Sequence, residues 1–141
     1  MGKAKKKETI NVSMEKLFNI IIDYEKYSEF VPFVDKVVIE KSQKNKKVVT
    51  FSLNLIKKIN YTLELTEKPN YKVSWTLVKG DLMKLNNGGW DLKEISKDKC
   101  EATYSIELNF GLLVPKKISE MLASKNLPET LEAFKNRAEG I

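Results

Sequence analysis

The chain has 141 residues, 42% of them apolar and 31% charged, with a formal charge of +6 and no histidine. That length suits one domain with a sizeable core. No apolar run approaches the roughly 18 residues that span a bilayer, and no apolar segment near the start reads as a secretory signal. The lack of histidine removes Ser-His-Asp and Cys-His nucleophile systems and the commonest metal ligand. Cys100, the single cysteine, can form neither an internal disulfide nor a thiolate zinc site. A reducing cytoplasm is the expected compartment.

Lys3, Lys5, Lys6 and Lys7 concentrate positive charge at the start. Residues 1–6 are expected to be a disordered basic tail, and residues 7–141 a single domain. The four lysines offer a peripheral contact with anionic membrane, which would place the protein at its inner face. Arg137 is the only arginine. Base readers favour the bidentate guanidinium, so sequence-specific nucleic acid is not an expected partner. A first strand is expected over 7–12. Ser13 then caps a helix over 14–22, with Leu17, Phe18, Ile21 and Ile22 as its apolar stripe. Asp23 can cap a short helical shoulder, which Pro32 stops by excluding the residue before it from the helical region.

From Val34 the apolar period changes to two. Val37 and Ile39 share a face, and a Lys-rich turn ends that strand near Lys46. Val49, Phe51, Leu53 and Leu55 alternate with polar residues, as do Ile59, Tyr61, Leu63 and Leu65. Lys68-Pro69-Asn70 is a turn signal. Val73, Trp75 and Leu77 continue the alternation. Gly88-Gly89 then suggests a bulge or sharp bend before Trp90 and Leu92. Ala102, Tyr104, Ile106, Leu108 and Phe110 form the last strand. Such strict alternation predicts antiparallel strands with one dry face. At the C-terminus, Ile118, Met121 and Leu122 form one stripe, and Leu127, Leu131, Phe134 and Ala138 another. On one straight helix the two would lie about 180° apart. A break near Asn126 is expected, with Pro128 in the first turn of the second segment, where its missing donor is harmless.

No glycine-rich phosphate loop or calcium loop is present, and no metal or cofactor is expected. Glu64, Asp81, Asp91 and Glu107 could serve as bases if buried, but carboxylates usually lie on wet strand faces. The aromatics are more informative. Phe51, Tyr61, Trp75, Trp90 and Tyr104 fall in phase on the dry faces of successive strands. They read either as core or as the wall of an apolar pocket with a few polar tips.

The segment Asp23-Tyr24-Glu25-Lys26-Tyr27-Ser28-Glu29-Phe30-Val31-Pro32-Phe33 resembles the D-Y-x-x-Y-P-E-F-L-P-W motif of the coenzyme Q-binding and ribosome-association toxin (RatA-like) families. These belong to the START, polyketide cyclase-like superfamily. The resemblance continues through Thr76 to Gly80, the Gly88-Gly89-Trp90 corner and Ala133 to Ala138, and covers residues 7–139. Ser28 stands where that motif usually has proline, and Phe33 replaces its tryptophan.

The resemblance implies an α+β helix-grip fold: a curved antiparallel sheet around a long C-terminal helix, with two short helices after the first strand; the kink near Pro128, expected from the phase of the apolar stripes, departs from the commonly continuous helix of those families. It also implies a hydrophobic cavity between sheet and helix. The expected ligand-binding residues are Phe30, Phe33, Phe51, Leu53, Tyr61, Leu63, Trp75, Leu77, Trp90, Tyr104, Ile118, Met121 and Leu122. The leading expectation is a carrier or chaperone for a polyisoprenoid quinone or lipid, and the reading leans away from an enzyme. The alternatives are a RatA-like inhibitor of the large ribosomal subunit and a polyketide aromatase/cyclase-like enzyme.

Overall fold

The computed structural model describes residues 2–54, 58–111, 114–121 and 127–140. The elements run β1 (Gly2–Ile10), α1 (Met14–Ile21), a 3-10 helix (Tyr24–Glu29), β2 (Val34–Gln43), β3 (Lys46–Asn54), β4 (Lys58–Lys68), β5 (Lys72–Gly80), β6 (Met83–Ser96), β7 (Lys99–Phe110), α2 (Lys116–Met121) and α3 (Leu127–Glu139). The strands form one antiparallel sheet in the order β1-β7-β6-β5-β4-β3-β2. This is the expected α+β helix-grip. The sheet curves around α3, whose Leu131, Phe134 and Ala138 join the main core with Phe51, Trp75 and Trp90. Pro128 lies in the first turn of α3, where the phase change of the sequence placed it.

Local chemistry accounts for the helical entry. Ser13 Oγ accepts from the Lys16 backbone N–H at 3.1 Å, satisfying one donor of the first turn of α1. Leu17, Phe18 and Ile21 are buried from that helix. The shoulder is 3-10 rather than α, and Asp23 makes no side-chain capping bond to it. Its ring-bearing residues Tyr24, Tyr27 and Phe30 are spaced three apart, which the three-residue turn stacks on one side.

Two further expectations are corrected. Residues 2–6 are not a disordered tail: β1 begins at Gly2 and pairs with β7, Lys3 opposite Glu107 and Lys6 opposite Tyr104. The physical reason is position. β1 is an edge strand, where lysine is the usual device against edge-to-edge association, and its pairing with β7 overrides low intrinsic strand preference. Nor do Gly88 and Gly89 form a bulge. They pair in continuous register with Ile106 and Ser105, and the irregularities of β6 lie between Met83 and Leu85 and between Glu94 and Ser96. Gly88 instead permits close approach: a Cβ there would fall 2.4 Å from the Ser105 carbonyl oxygen and 2.7 Å from the Trp75 ring.

The hairpin of β5 and β6 is splayed. The strands pair only from Lys72 opposite Asp91 to Trp75 opposite Gly88. Toward their turn, β5 follows β4 as far as Gly80, while β6 follows β7 as far as Met83. Trp75 Nε1 donates to Asn86 Oδ1 at 2.9 Å and bridges the strands where they part. This parting provides room beneath the sheet.

Candidate functional site: an aromatic cavity between the sheet and the C-terminal helix

A cavity of about 100 Å3 lies between the sheet and α3. Strand alternation sends Phe51, Leu53, Tyr61, Leu63, Trp75 and Tyr104 into it, together with Trp90 from β6. Tyr27, Val31 and Pro32 close one side, and Thr130 and Phe134 of α3 another. Met83 and Asn86 line it where β5 and β6 diverge. The rings form a continuous wall: Trp90 lies 4.7 Å from Tyr104 and 4.9 Å from Phe134, Phe134 lies 5.2 Å from Tyr27, and Tyr61 stacks on Phe51 at 5.4 Å. These separations are those of favourable aromatic pairs.

Seven of the expected ligand-binding residues therefore meet around one space: Phe51, Leu53, Tyr61, Leu63, Trp75, Trp90 and Tyr104. Phe30 does not line it. Its ring packs edge-on against Phe134 at 5.0 Å and carries the Arg137 guanidinium 4.9 Å above it. Phe33 does not line it either. Its backbone is left-handed, with φ 67°, and the residue is 41% exposed. Leu77 is partly buried against both apolar clusters, and Ile118 packs on the smaller one with Met83, Leu108 and Phe110. The Met121 expectation rests on a side chain outside the described set, and Leu122 lies outside the described residues.

The sequence reading missed Tyr27, Phe134, Thr130, Met83 and Asn86. Tyr27 and Phe134 did carry a signal, as large rings on the apolar stripes of the shoulder and α3. None of Glu64, Asp81, Asp91 and Glu107 lines the cavity.

The polar tips that the described residues bring to the cavity are neutral. Burial pushes the Tyr61 and Tyr104 phenols well above the ordinary value of 10.0, and Tyr104 raises Tyr61 further. Burial does the same to Tyr27, with Tyr104, Tyr61 and Glu67 adding to the effect. The Tyr27 hydroxyl donates to the Ile21 carbonyl. Asn86 Oδ1 is occupied by Trp75, while among the described residues its amide nitrogen meets only the Met83 thioether, at 3.7 Å. No charged side chain of the described residues lines the cavity. The arrangement can bind apolar rings and donate hydrogen bonds to uncharged oxygens. Among the described residues, no group of three or more acidic or cysteine side chains could hold a metal ion.

Solved structures of low identity share this fold. An aromatase/cyclase from a Streptomyces species is 15% identical, with a TM-score of 0.86 over 97% of this chain and 93% of that one. A START superfamily protein from Mycobacterium smegmatis is 16% identical, with a TM-score of 0.85 over 99% of each chain. A STAR-related lipid transfer protein fragment from Xanthomonas axonopodis is 10% identical, with a TM-score of 0.76 over 97% of this chain and 85% of that one. At these identities the likeness speaks for the fold alone. No curated protein matches the sequence significantly.

The family described as polyketide cyclase / dehydrase and lipid transport matches residues 10–135. The superfamily expectation holds at that level, and nothing in the comparisons singles out the coenzyme Q-binding or ribosome-association toxin families. The lean away from an enzyme is corrected, because the matching family takes in cyclases and dehydrases as well as lipid transport. From the helix-grip architecture and a match across most of its length, the chain belongs to the polyketide cyclase / dehydrase and lipid transport family.

Proposed function

We propose that the protein is a cyclase-like catalyst that holds an oxygenated, largely apolar small molecule between its sheet and α3 and promotes ring closure. The observation that carries this reading is an aromatic cavity whose polar tips, among the described residues, are uncharged and include the phenols of Tyr61 and Tyr104. Membership of the family supports it, as does the fold shared with an aromatase/cyclase.

The chemistry is compatible with a chain that lacks histidine. A linear poly-β-ketone is already substantially enolised, so ring closure needs no strong base. The enol carbon attacks a second carbonyl carbon, and its hydroxyl proton passes to the new alkoxide oxygen. Loss of water then leaves a carbon–carbon double bond. Flat walls such as Trp90 and Phe134 restrict the chain to folded conformers, which contributes through proximity. Neutral donors in a water-poor cavity polarise the attacked carbonyl. At about 100 Å3 the cavity is smaller than the roughly 300–1,000 Å3 of ordinary ligand sites. Substrate entry must therefore move a wall.

The test is incubation with a short linear poly-β-ketone, following aromatic product by absorbance and chromatography. Acceleration over the spontaneous reaction, lost in Trp90→Ala, supports the reading. Absence of both acceleration and saturable binding overturns it.

A further inference from the structure

We infer that Tyr61 and Tyr104 form the cavity's recognition pair, whose hydroxyls donate to the carbonyl oxygens of an uncharged planar ligand. This inference rests on the proposed binding of a ligand in the cavity and adds what chooses the ligand.

Tyr104 is only 9% exposed. Tyr61 packs its ring on Phe51, and both residues line the cavity. The hydroxyls of Tyr24 and Tyr27 find acceptors in Glu67 and the Ile21 carbonyl. Those of Tyr61 and Tyr104 have no hydrogen-bond partner among the described residues. A buried polar group without a partner costs about 1–3 kcal/mol, and most such groups are satisfied. Tyr104, buried, and Tyr61, half-buried, on one apolar cavity point to a ligand that accepts hydrogen bonds.

Geometry and charge narrow the class further. The two tyrosines stand on β4 and β7, separated in the sheet by β5 and β6, yet both line the same cavity. Indoles lie beside Tyr104, Trp90 at 4.7 Å and Trp75 at 5.8 Å from its ring, while Tyr61 stacks on Phe51. A ligand meeting both hydroxyls while lying against these rings is flat, with oxygen on its edge. Among the described residues no ammonium or guanidinium lines the cavity, so a carboxylate would meet no counter-charge from them and pay its desolvation unaided.

The experiment compares three probes on the full chain by calorimetry. They are a dimethyl naphthoquinone with its ring carbons blocked against thiol addition, dimethylnaphthalene of the same shape, and naphthoate. The proteins are wild type, Tyr61→Phe and Tyr104→Phe. The expected result is that each substitution weakens the quinone about three- to tenfold and leaves the hydrocarbon unchanged or tighter. Naphthoate should bind more weakly than the quinone throughout. Thermal stability of both variants should be equal to or above wild type, since each loses a hydroxyl without a partner among the described residues.

Saturable binding of quinone and hydrocarbon that neither substitution alters would overturn the recognition pair while leaving the cavity as a binding site. A fall in stability would show the hydroxyls to be structural and would also overturn it. Failure of every probe to bind wild type would remove ligand binding in the cavity and this inference with it.

Discussion

Tyr24 donates a 2.7 Å hydrogen bond from its hydroxyl to Glu67 Oε2, tying the 3-10 shoulder to β4 through two buried side chains. Glu67 Oε1 meets Lys47 Nζ at 3.1 Å. Lys47 also donates to the Gln43 carbonyl. The carboxylate is thus buried with a partner on each oxygen, the arrangement that makes a buried charge tolerable. The Tyr24 ring meets Tyr27 edge-on at 5.7 Å, and Tyr27 lines the cavity. The polar anchor therefore positions one wall of the site.

Tyr24→Phe should accordingly cost about 1.5–3 kcal/mol, the value of a hydrogen bond to a charged group, measured by urea denaturation. Combined with Glu67→Gln, the pair should be clearly non-additive. Additive losses would mean that the two side chains are anchored independently.

Glu67 also shows how far the sequence could be read. It continues the phase of Ile59, Tyr61, Leu63 and Leu65, so period two placed it on the dry face. Its charge argued for water, and the partners that overrule that argument come from Lys47 and Tyr24, distant in sequence. Alternation found Phe51, Trp75, Trp90 and Tyr104 because a pleated strand fixes side-chain direction locally. It was silent on Phe33, whose left-handed backbone turns the ring outward. It was silent too on Thr130 and Phe134 as cavity walls, because the facing of a helix is settled by packing. Gly88 was legible as special, but which special role it plays depends on the Trp75 indole across the sheet.

Gly88→Ala tests that last point. The added methyl would meet the Ser105 carbonyl oxygen at 2.4 Å, which is backbone and cannot rotate away, and the Trp75 ring at 2.7 Å. We expect a loss of about 1–3 kcal/mol from overpacking. Tryptophan emission should shift as Trp75 leaves its bond to Asn86. Unchanged stability with unchanged emission would show that the sheet relaxes at this point without strain.

The buried phenols predict the alkaline behaviour. Burial raises Tyr24, Tyr27, Tyr61 and Tyr104 above the ordinary 10.0. The folded state therefore holds these protons more tightly than the unfolded state. Stability is at its full value below pH 10.0 and falls as pH rises above it. In a spectrophotometric titration, four of the five tyrosines should ionise together with unfolding rather than before it. A smooth titration of most phenols near pH 10 in a protein still folded by circular dichroism would contradict the closed cavity.

The size of the cavity gives the last prediction. Phe134 touches Tyr27, Phe30 and Trp90 and is 2% exposed, so it is the main obstacle between the α3 wall and the interior. Phe134→Leu removes ring volume while keeping an apolar surface. Some stability must be lost, though less than the roughly 3–5 kcal/mol of a phenylalanine cut to alanine. If ligand entry is limited by this wall, the variant should bind a tricyclic quinone more tightly than wild type does, while a bicyclic one gains little. Calorimetry on both ligands separates the cases. Equal weakening of both would mean that Phe134 is a contact surface for ligand, and that the wall which moves on entry is the shoulder carrying Tyr27, Val31 and Pro32.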